Sequence, residues 1–163
     1  KWEFLKWQYS LNHLGKEIHM CMEGYCSAYI YWYLKRFYGL MGDTDKRSPT
    51  SEGEITKNGY IMAHYAQYAT ETTRIKAVTN NEEVCATAYW DEKTGEVTIV
   101  LLNLNGASQW LEIPLAGIKK ASAVETNETK NMEVIDTGLM ESAEGITVLL
   151  SANSITSVRL TFK

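Results

Sequence analysis

The chain contains no run of about eighteen consecutive apolar residues, so no helix in it is long and apolar enough to cross a membrane. It also has no excess of positive charge. A net charge of −4 and a pI near 5.4 leave no basic footprint for a polyanion, which argues against nucleic acid as a partner. Histidine is scarce, and His13, His19 and His64 show no metal-ligand spacing. The three cysteines, Cys21, Cys26 and Cys85, are odd in number and fit no zinc pattern, so they read as free thiols packed as small hydrophobes. No G-x-S-x-G elbow supports a serine nucleophile, and no glycine-rich loop after a strand cradles phosphate. These absences predict neither a metal nor a cofactor.

What is present is a chain of two grammars. Its 163 residues, 45% of them hydrophobic, suffice for one domain or one and a half. Phe4, Trp7, Leu11, Leu14, Ile18 and Cys21 recur at steps of three and four, predicting a helix over 3–23 that Gly24 stops. An unbroken aromatic and apolar run predicts a strand over 27–34, buried on both faces as in a parallel sheet. Gly39 to Gly53 reads as a long irregular loop, and 57–69 as a second helix. Beyond the subdomain boundary near Thr70–Thr73, short strand-like runs alternate with turn signals. They lie at 74–79, 84–89, 97–104, 108–113, 121–126, 133–136, 146–150 and 155–162. That spacing predicts an antiparallel β-sandwich, giving an α+β chain divided into 1–71 and 72–163.

The segment Ala28-Tyr-Ile-Tyr-Trp-Tyr-Leu-Lys-Arg-Phe-Tyr-Gly-Leu-Met41 carries the chemistry. Aromatic faces suit a sugar ring, and a guanidinium suits a carboxylate. Trp32, Arg36 and Tyr38 are therefore candidate substrate-binding residues, against the alternative of core aromatics with one cation extending to solvent. Hydrolysing a glycoside with retention needs two carboxyl groups about 5–5.5 Å apart. The acids Asp43, Asp45, Glu52, Glu54, Asp91 and Glu92 instead sit in loops and turns, so no catalytic residue is assigned. Asp43-Thr-Asp45 opens like a calcium loop, but Lys46 and Arg47 follow and the other ligands are missing. Asn127-Glu-Thr129 matches a glycosylation sequon, a pattern common by chance. Tyr89, Trp90 and Trp110 could present aromatic faces to sugars but read first as core or turn packing.

Three blocks carry a resemblance: Lys16-Glu-Ile-His19, the Ala28–Gly39 run, and Ile55-Thr-Lys-Asn-Gly-Tyr-Ile-Met-Ala-His-Tyr-Ala66. In order and spacing they resemble glycoside hydrolase family 30, and within it the bacterial glucuronoxylanases. Those proteins carry E-I-H on a helix, A-Y-V-W-W-Y-I-R-R-x-Y-G on a strand, and T-K-R-G-Y-x-M-A-x-F on a helix. The resemblance is close over about the first 70 residues, and the β-rich remainder fits the family's side β-sandwich in size and position. It implies the end of a (β/α)₈ barrel, as helix, strand and helix, followed by that sandwich.

The active sites of such barrels lie at the C-terminal ends of the strands. The resemblance implies that Trp32 lines the sugar site and that Arg36 and Tyr38 help hold the 4-O-methylglucuronate branch of xylan. It implies secretion, xylan or a related cell-wall polysaccharide as the partner, and both catalytic glutamates at positions before Lys1. The start at Lys1, without Met or a signal-like segment, fits a mature or trimmed product. Three readings stay open: a xylan-binding portion that does not cut, a hydrolase completed by a separate chain, and a structural β-sandwich. An uncovered strand at 27–34 and the stripe beginning at Phe4 and Trp7 predict self-association or a loosely ordered N-terminal half.

Overall fold

The N-terminal apolar stripe forms as a helical run in the computed structural model, which describes residues 3–135, 139–142 and 144–163. It comprises α1 (Trp7–Ser10), a wide π turn (Leu11–Gly15) and α2 (Lys16–Glu23). Trp7, Leu11, Leu14 and Ile18 share a buried face. The side chain of Phe4 lies outside the described residues. The helix α3 (Lys57–Ala66) ends three residues short of the predicted limit.

The strand grammar is realised closely. The strands are β1 (Thr73–Ile75), β2 (Val84–Trp90), β3 (Val97–Asn103), β4 (Gln109–Ile113), β5 (Ile118–Thr126), β6 (Glu133–Val134), β7 (Leu139–Ser142), β8 (Gly145–Leu150) and β9 (Ser154–Phe162). All eight predicted runs overlap a strand, although only Arg74 and Ile75 of 74–79 and only Glu133 and Val134 of 133–136 lie in one; β7 is additional, and Asp136 lies outside the described residues. Every ladder between the described strands is antiparallel. One sheet runs β1-β2-β3-β9-β5-β6 and the other β4-β8-β7. The β2–β3 hairpin turns where the sequence signals it. Asp91 accepts from the backbone N–H of Lys93 and Thr94, and Gly95 takes a left-handed φ of 73° that a side chain would disfavour.

The six-stranded sheet is covered on both faces at its centre, as β3 shows. Ile99 and Leu101 of β3 join a core with Ile146, Val148 and Leu150 of the smaller sheet. The alternate residues Val100 and Leu102 join a second core with Leu11, Leu14, Ile18 and Ile61 of the helices. The stripe that sequence reasoning left uncovered is thus covered within the chain, by the sheet. Asn103 ends β3 fully buried. It donates to the carbonyls of Ala107 at 3.0 Å and Ser151 at 2.8 Å, and accepts from Asn105 and Gln109. Glu125 of β5 is likewise fully buried, accepting from Lys130, Asn127 and both the amide and hydroxyl of Ser151.

Residues 27–34 do not form the predicted buried strand. Ile30, Trp32 and Leu34 are 88%, 73% and 64% exposed, and no described strand lies beside them. The chain instead doubles back on itself. Met41 N–H donates to Leu34 O at 2.8 Å, Arg36 N–H to Met41 O at 3.2 Å, and Gly39 N–H to Arg36 O at 2.7 Å. The physical reason is that a parallel strand exists only through its neighbours' backbone groups. Lacking them, the segment satisfies part of its backbone locally.

The helix α3 locks this loop. Thr56 caps it, accepting from Gly59 N–H at 3.2 Å and donating to the Gly39 carbonyl at 2.7 Å. Lys57 donates to Asn127 O, Lys130 O and Asn131 Oδ1 beyond β5. Gly59 packs so closely that a Cβ there would collide with the Leu40 carbonyl. His64, fully buried, bridges Ser157 Oγ at 2.7 Å and Thr126 Oγ1 at 2.9 Å.

Two outcomes follow from these contacts. Gly59→Ala should destabilise the chain by roughly 1–3 kcal/mol through overpacking, read by urea denaturation. It should also change the near-ultraviolet circular dichroism of the aromatic loop; an unaltered spectrum and midpoint would contradict the close approach. For His64, burial lowers the pKa from the usual 6.5 to about 3. Above 6.5 neither state carries the proton; below it the unfolded chain binds one and the folded chain does not. Stability should therefore fall as the pH drops from about 6.5 towards 3, by up to about 1.4 kcal/mol per pH unit from this group. Urea midpoints between pH 7.5 and 4.5 should show a slope that is shallower in His64→Gln.

Candidate functional site

The aromatic loop is built from both ends. Tyr31 OH donates to the Tyr38 carbonyl at 2.8 Å, and Asn58 Nδ2 of α3 donates to the same carbonyl at 3.1 Å. Burial raises the Tyr31 pKa, while its hydrogen bond with Asn58 pulls it down, so this phenol stays a donor at neutral pH. Behind this clamp lies a cleft of about 220 Å³, lined by Tyr9, His13, Glu17, Tyr31, Tyr38 and Asn58. Glu17 accepts from Tyr29 OH at its edge, and desolvation, then Glu17, push the Tyr29 pKa strongly upward.

On the outer side, Trp32 and Tyr38 stand with ring planes 18° apart and centroids at 5.8 Å. Tyr33 meets both edge-on, at 4.8 Å and 5.8 Å. The Arg36 guanidinium lies 5.7 Å from the Tyr33 ring centre and is open to solvent. The loop thus unites two of the predicted residues directly, Trp32 and Tyr38, and holds the third, Arg36, one ring away. Among the described residues the Arg36 guanidinium makes no ion pair, and the indole N–H of Trp32 has no acceptor. Exposed aromatic faces and unengaged donors of this kind can stack a pyranose and hold an anion.

The neighbouring acids are engaged differently. Arg47 donates twice to Asp45, at 2.9 Å and 2.6 Å, and holds the Asp45 carboxyl well below the usual carboxylate range. The same guanidinium lies 3.9 Å from the Phe37 ring centre. Glu52 pairs with Lys35 at 2.5 Å. Asp43 accepts from the Asp45 backbone N–H, and Glu54 from that of Ser51. Among the described residues no group of three or more His, Cys, Asp or Glu side chains could hold a metal ion. A larger cavity of about 840 Å³ lies elsewhere, between the edges of the two sheets, lined largely by apolar residues such as Ile75, Ile99 and Ile113.

Sequence reasoning missed Tyr31, Tyr33 and Asn58, which hold or frame the loop. Asn58 had a visible signal, since it lies inside the Thr-Lys-Asn-Gly-Tyr block; Tyr31 and Tyr33 were read only as part of a strand. Tyr89 is buried as core, whereas Trp90 and Trp110 are exposed on the strands.

No model of a known protein family matches the chain. Its sequence is 30% identical over 157 residues to the glucuronoxylanase XynC of Bacillus subtilis strain 168, covering 93% of this chain and 34% of that protein. A family 30 subfamily 8 xylanase of Clostridium acetobutylicum shares its fold with a TM-score of 0.81 at 22% identity, over 96% of this chain and 39% of that one. A family 30 endoxylanase of Clostridium papyrosolvens C71 gives 0.80 at 24% identity, over the same shares. The chain thus resembles the glycoside hydrolase family 30 glucuronoxylanases along nearly its whole length, while spanning only about a third of theirs.

Proposed function

We propose that the chain is the C-terminal portion of a family 30 xylanase-like protein and that it binds xylan or a related β-glycan without cutting it. Residues 1–71 would supply the last barrel helices and strand, and 72–163 the side β-sandwich. The observation that carries this reading is an exposed Trp32 face and a solvent-exposed Arg36 guanidinium on one loop, braced by Tyr31, Asn58 and Thr56. Likeness to a glucuronoxylanase supports the choice of sugar. Trp32 would stack on a xylose ring, Tyr38 would back it, and Arg36 would pair with a uronate carboxylate.

A second reading, a hydrolase completed by a separate chain, is favoured by one feature. Ile30, Trp32 and Leu34 form an apolar edge of the kind that belongs against neighbouring strands.

Arg36→Ala should weaken binding to glucuronoxylan about tenfold, near the lower end of a charge-assisted hydrogen bond, and leave neutral arabinoxylan almost unchanged. Affinity electrophoresis on the two polymers reads the difference. Equal losses on both would remove the uronate role, and no binding to either would leave the structural sandwich as the better reading.

The purified chain should release no acidic xylo-oligosaccharides. Retaining hydrolysis needs one carboxyl group to protonate the leaving oxygen and another to attack the anomeric carbon. The acids around the loop are committed to Arg47, Lys35 and backbone N–H groups. Stabilising a bound sugar without that pair does not accelerate bond breaking. Product release abolished by a substitution within residues 1–163 would overturn this.

A further inference from the structure

The end of α2 places two thiols side by side. Gly24 N–H donates to Met20 O at 2.9 Å, Tyr25 takes a left-handed φ of 58°, and Cys26 N–H reaches back to Cys21 O at 2.9 Å. A bond from the second residue past the Gly24 cap to a carbonyl five residues earlier is the Schellman closure, which lays those two side chains against each other. In most such caps the contact is hydrophobic. Here both partners are cysteine, and burial, then the neighbouring Cys26 thiol, push the Cys21 pKa upward. Cys21 is half-buried and Cys26 is exposed, at the rim of a cleft of about 470 Å³. The expectation of buried thiols therefore fails at Cys26, because the left-handed turn carries it out of the helix face. Cys85 stands apart on β2, beside His19 and Glu23.

We infer that Cys21 and Cys26 are a dithiol–disulfide site that clamps the end of α2 to the start of the aromatic loop. A small disulfide such as oxidised glutathione supplies the oxidant. The exposed Cys26 thiolate attacks one of its sulfurs, forming a mixed disulfide and releasing one glutathione thiolate. The Cys21 thiolate then attacks Cys26 Sγ and expels the second. The two cysteines lose two protons and two electrons, and one glutathione disulfide becomes two glutathione thiols. The closed bond fixes Tyr25, whose ring carries the Arg74 guanidinium at 4.5 Å, and with it the chain entering Ser27 and Ala28.

The test incubates the 163-residue chain with oxidised glutathione, caps remaining thiols with N-ethylmaleimide, and maps the peptides by mass spectrometry. The expected result is one intramolecular link between Cys21 and Cys26, with the alkylatable thiols falling from three to one and Cys85 labelled. The melting temperature should rise on oxidation in the parent and in Cys85→Ser, and stay unchanged in Cys26→Ser, whose exposed position keeps it folded. Retention of all three thiols, a stable glutathione adduct at Cys26, or a link through Cys85 would each overturn the proposal. So would an oxidised parent that melts no higher than the reduced form.

Discussion

The arrangement depends on the attachment of α3 to the large sheet. Ile61 inserts into the core formed with Val100 and Leu102 of β3 and Ile155 of β9. Around that apolar contact stand two polar anchors, the Lys57 ammonium on the carbonyls beyond β5 and the neutral His64 imidazole between β5 and β9. Apolar burial is strong but does not set an orientation. The two anchors at opposite ends of the helix do. With α3 so oriented, Thr56, Asn58 and Gly59 arrive where they grip Gly39, Tyr38 and Leu40. The aromatic loop takes its shape from a helix that makes no contact with any sugar in the proposed reading.

The polar anchors differ in how they tolerate burial. Lys57 is only partly desolvated and keeps its charge by meeting three oxygens, although its pKa is lowered by that desolvation. Glu125 is fully enclosed, but an ammonium, an amide, a hydroxyl and a backbone N–H converge on its two oxygens. His64 solves the same problem by giving up its charge. Each has its hydrogen-bonding capacity met, the condition under which buried and half-buried polar groups order a fold.

How much of this was legible in the sequence depended on the range of the forces involved. The stripe Trp7, Leu11, Leu14, Ile18 and the strands of 84–162 were legible because periodicity records which face is buried, and turn residues such as Asp91 and Gly95 act locally. The aromatic run 27–34 was misread because an apolar pattern does not say whether strands stand beside it, and no described strand does. Trp32 and Tyr38 were found by residue type and do meet; Arg36 was found for its charge, and its distance from Trp32 could not be read. The partnership of His64 with Ser157 and Thr126 spans 93 and 62 positions, and no local pattern announces it. The Cys21–Cys26 pair was visible as a spacing, but its meaning came only with the left-handed Tyr25.

The double-faced burial of β3 removes a safeguard that most antiparallel strands possess. Where one face is dry and the other wet, slipping the pairing by one residue exposes the apolar set and is penalised at once. Val97 to Leu102 is apolar on both sides save for Thr98, so hydrophobicity alone hardly distinguishes one alignment from the next. The distinction falls to Asn103. Its amide fits only where Ala107 and Ser151 offer carbonyls and Asn105 and Gln109 offer N–H groups. A shift of one position would leave a buried amide unpaired. With the Asp91–Gly95 turn, Asn103 helps keep Val100 and Leu102 facing the helices and Ile99 and Leu101 facing the small sheet, one alignment mark for both cores.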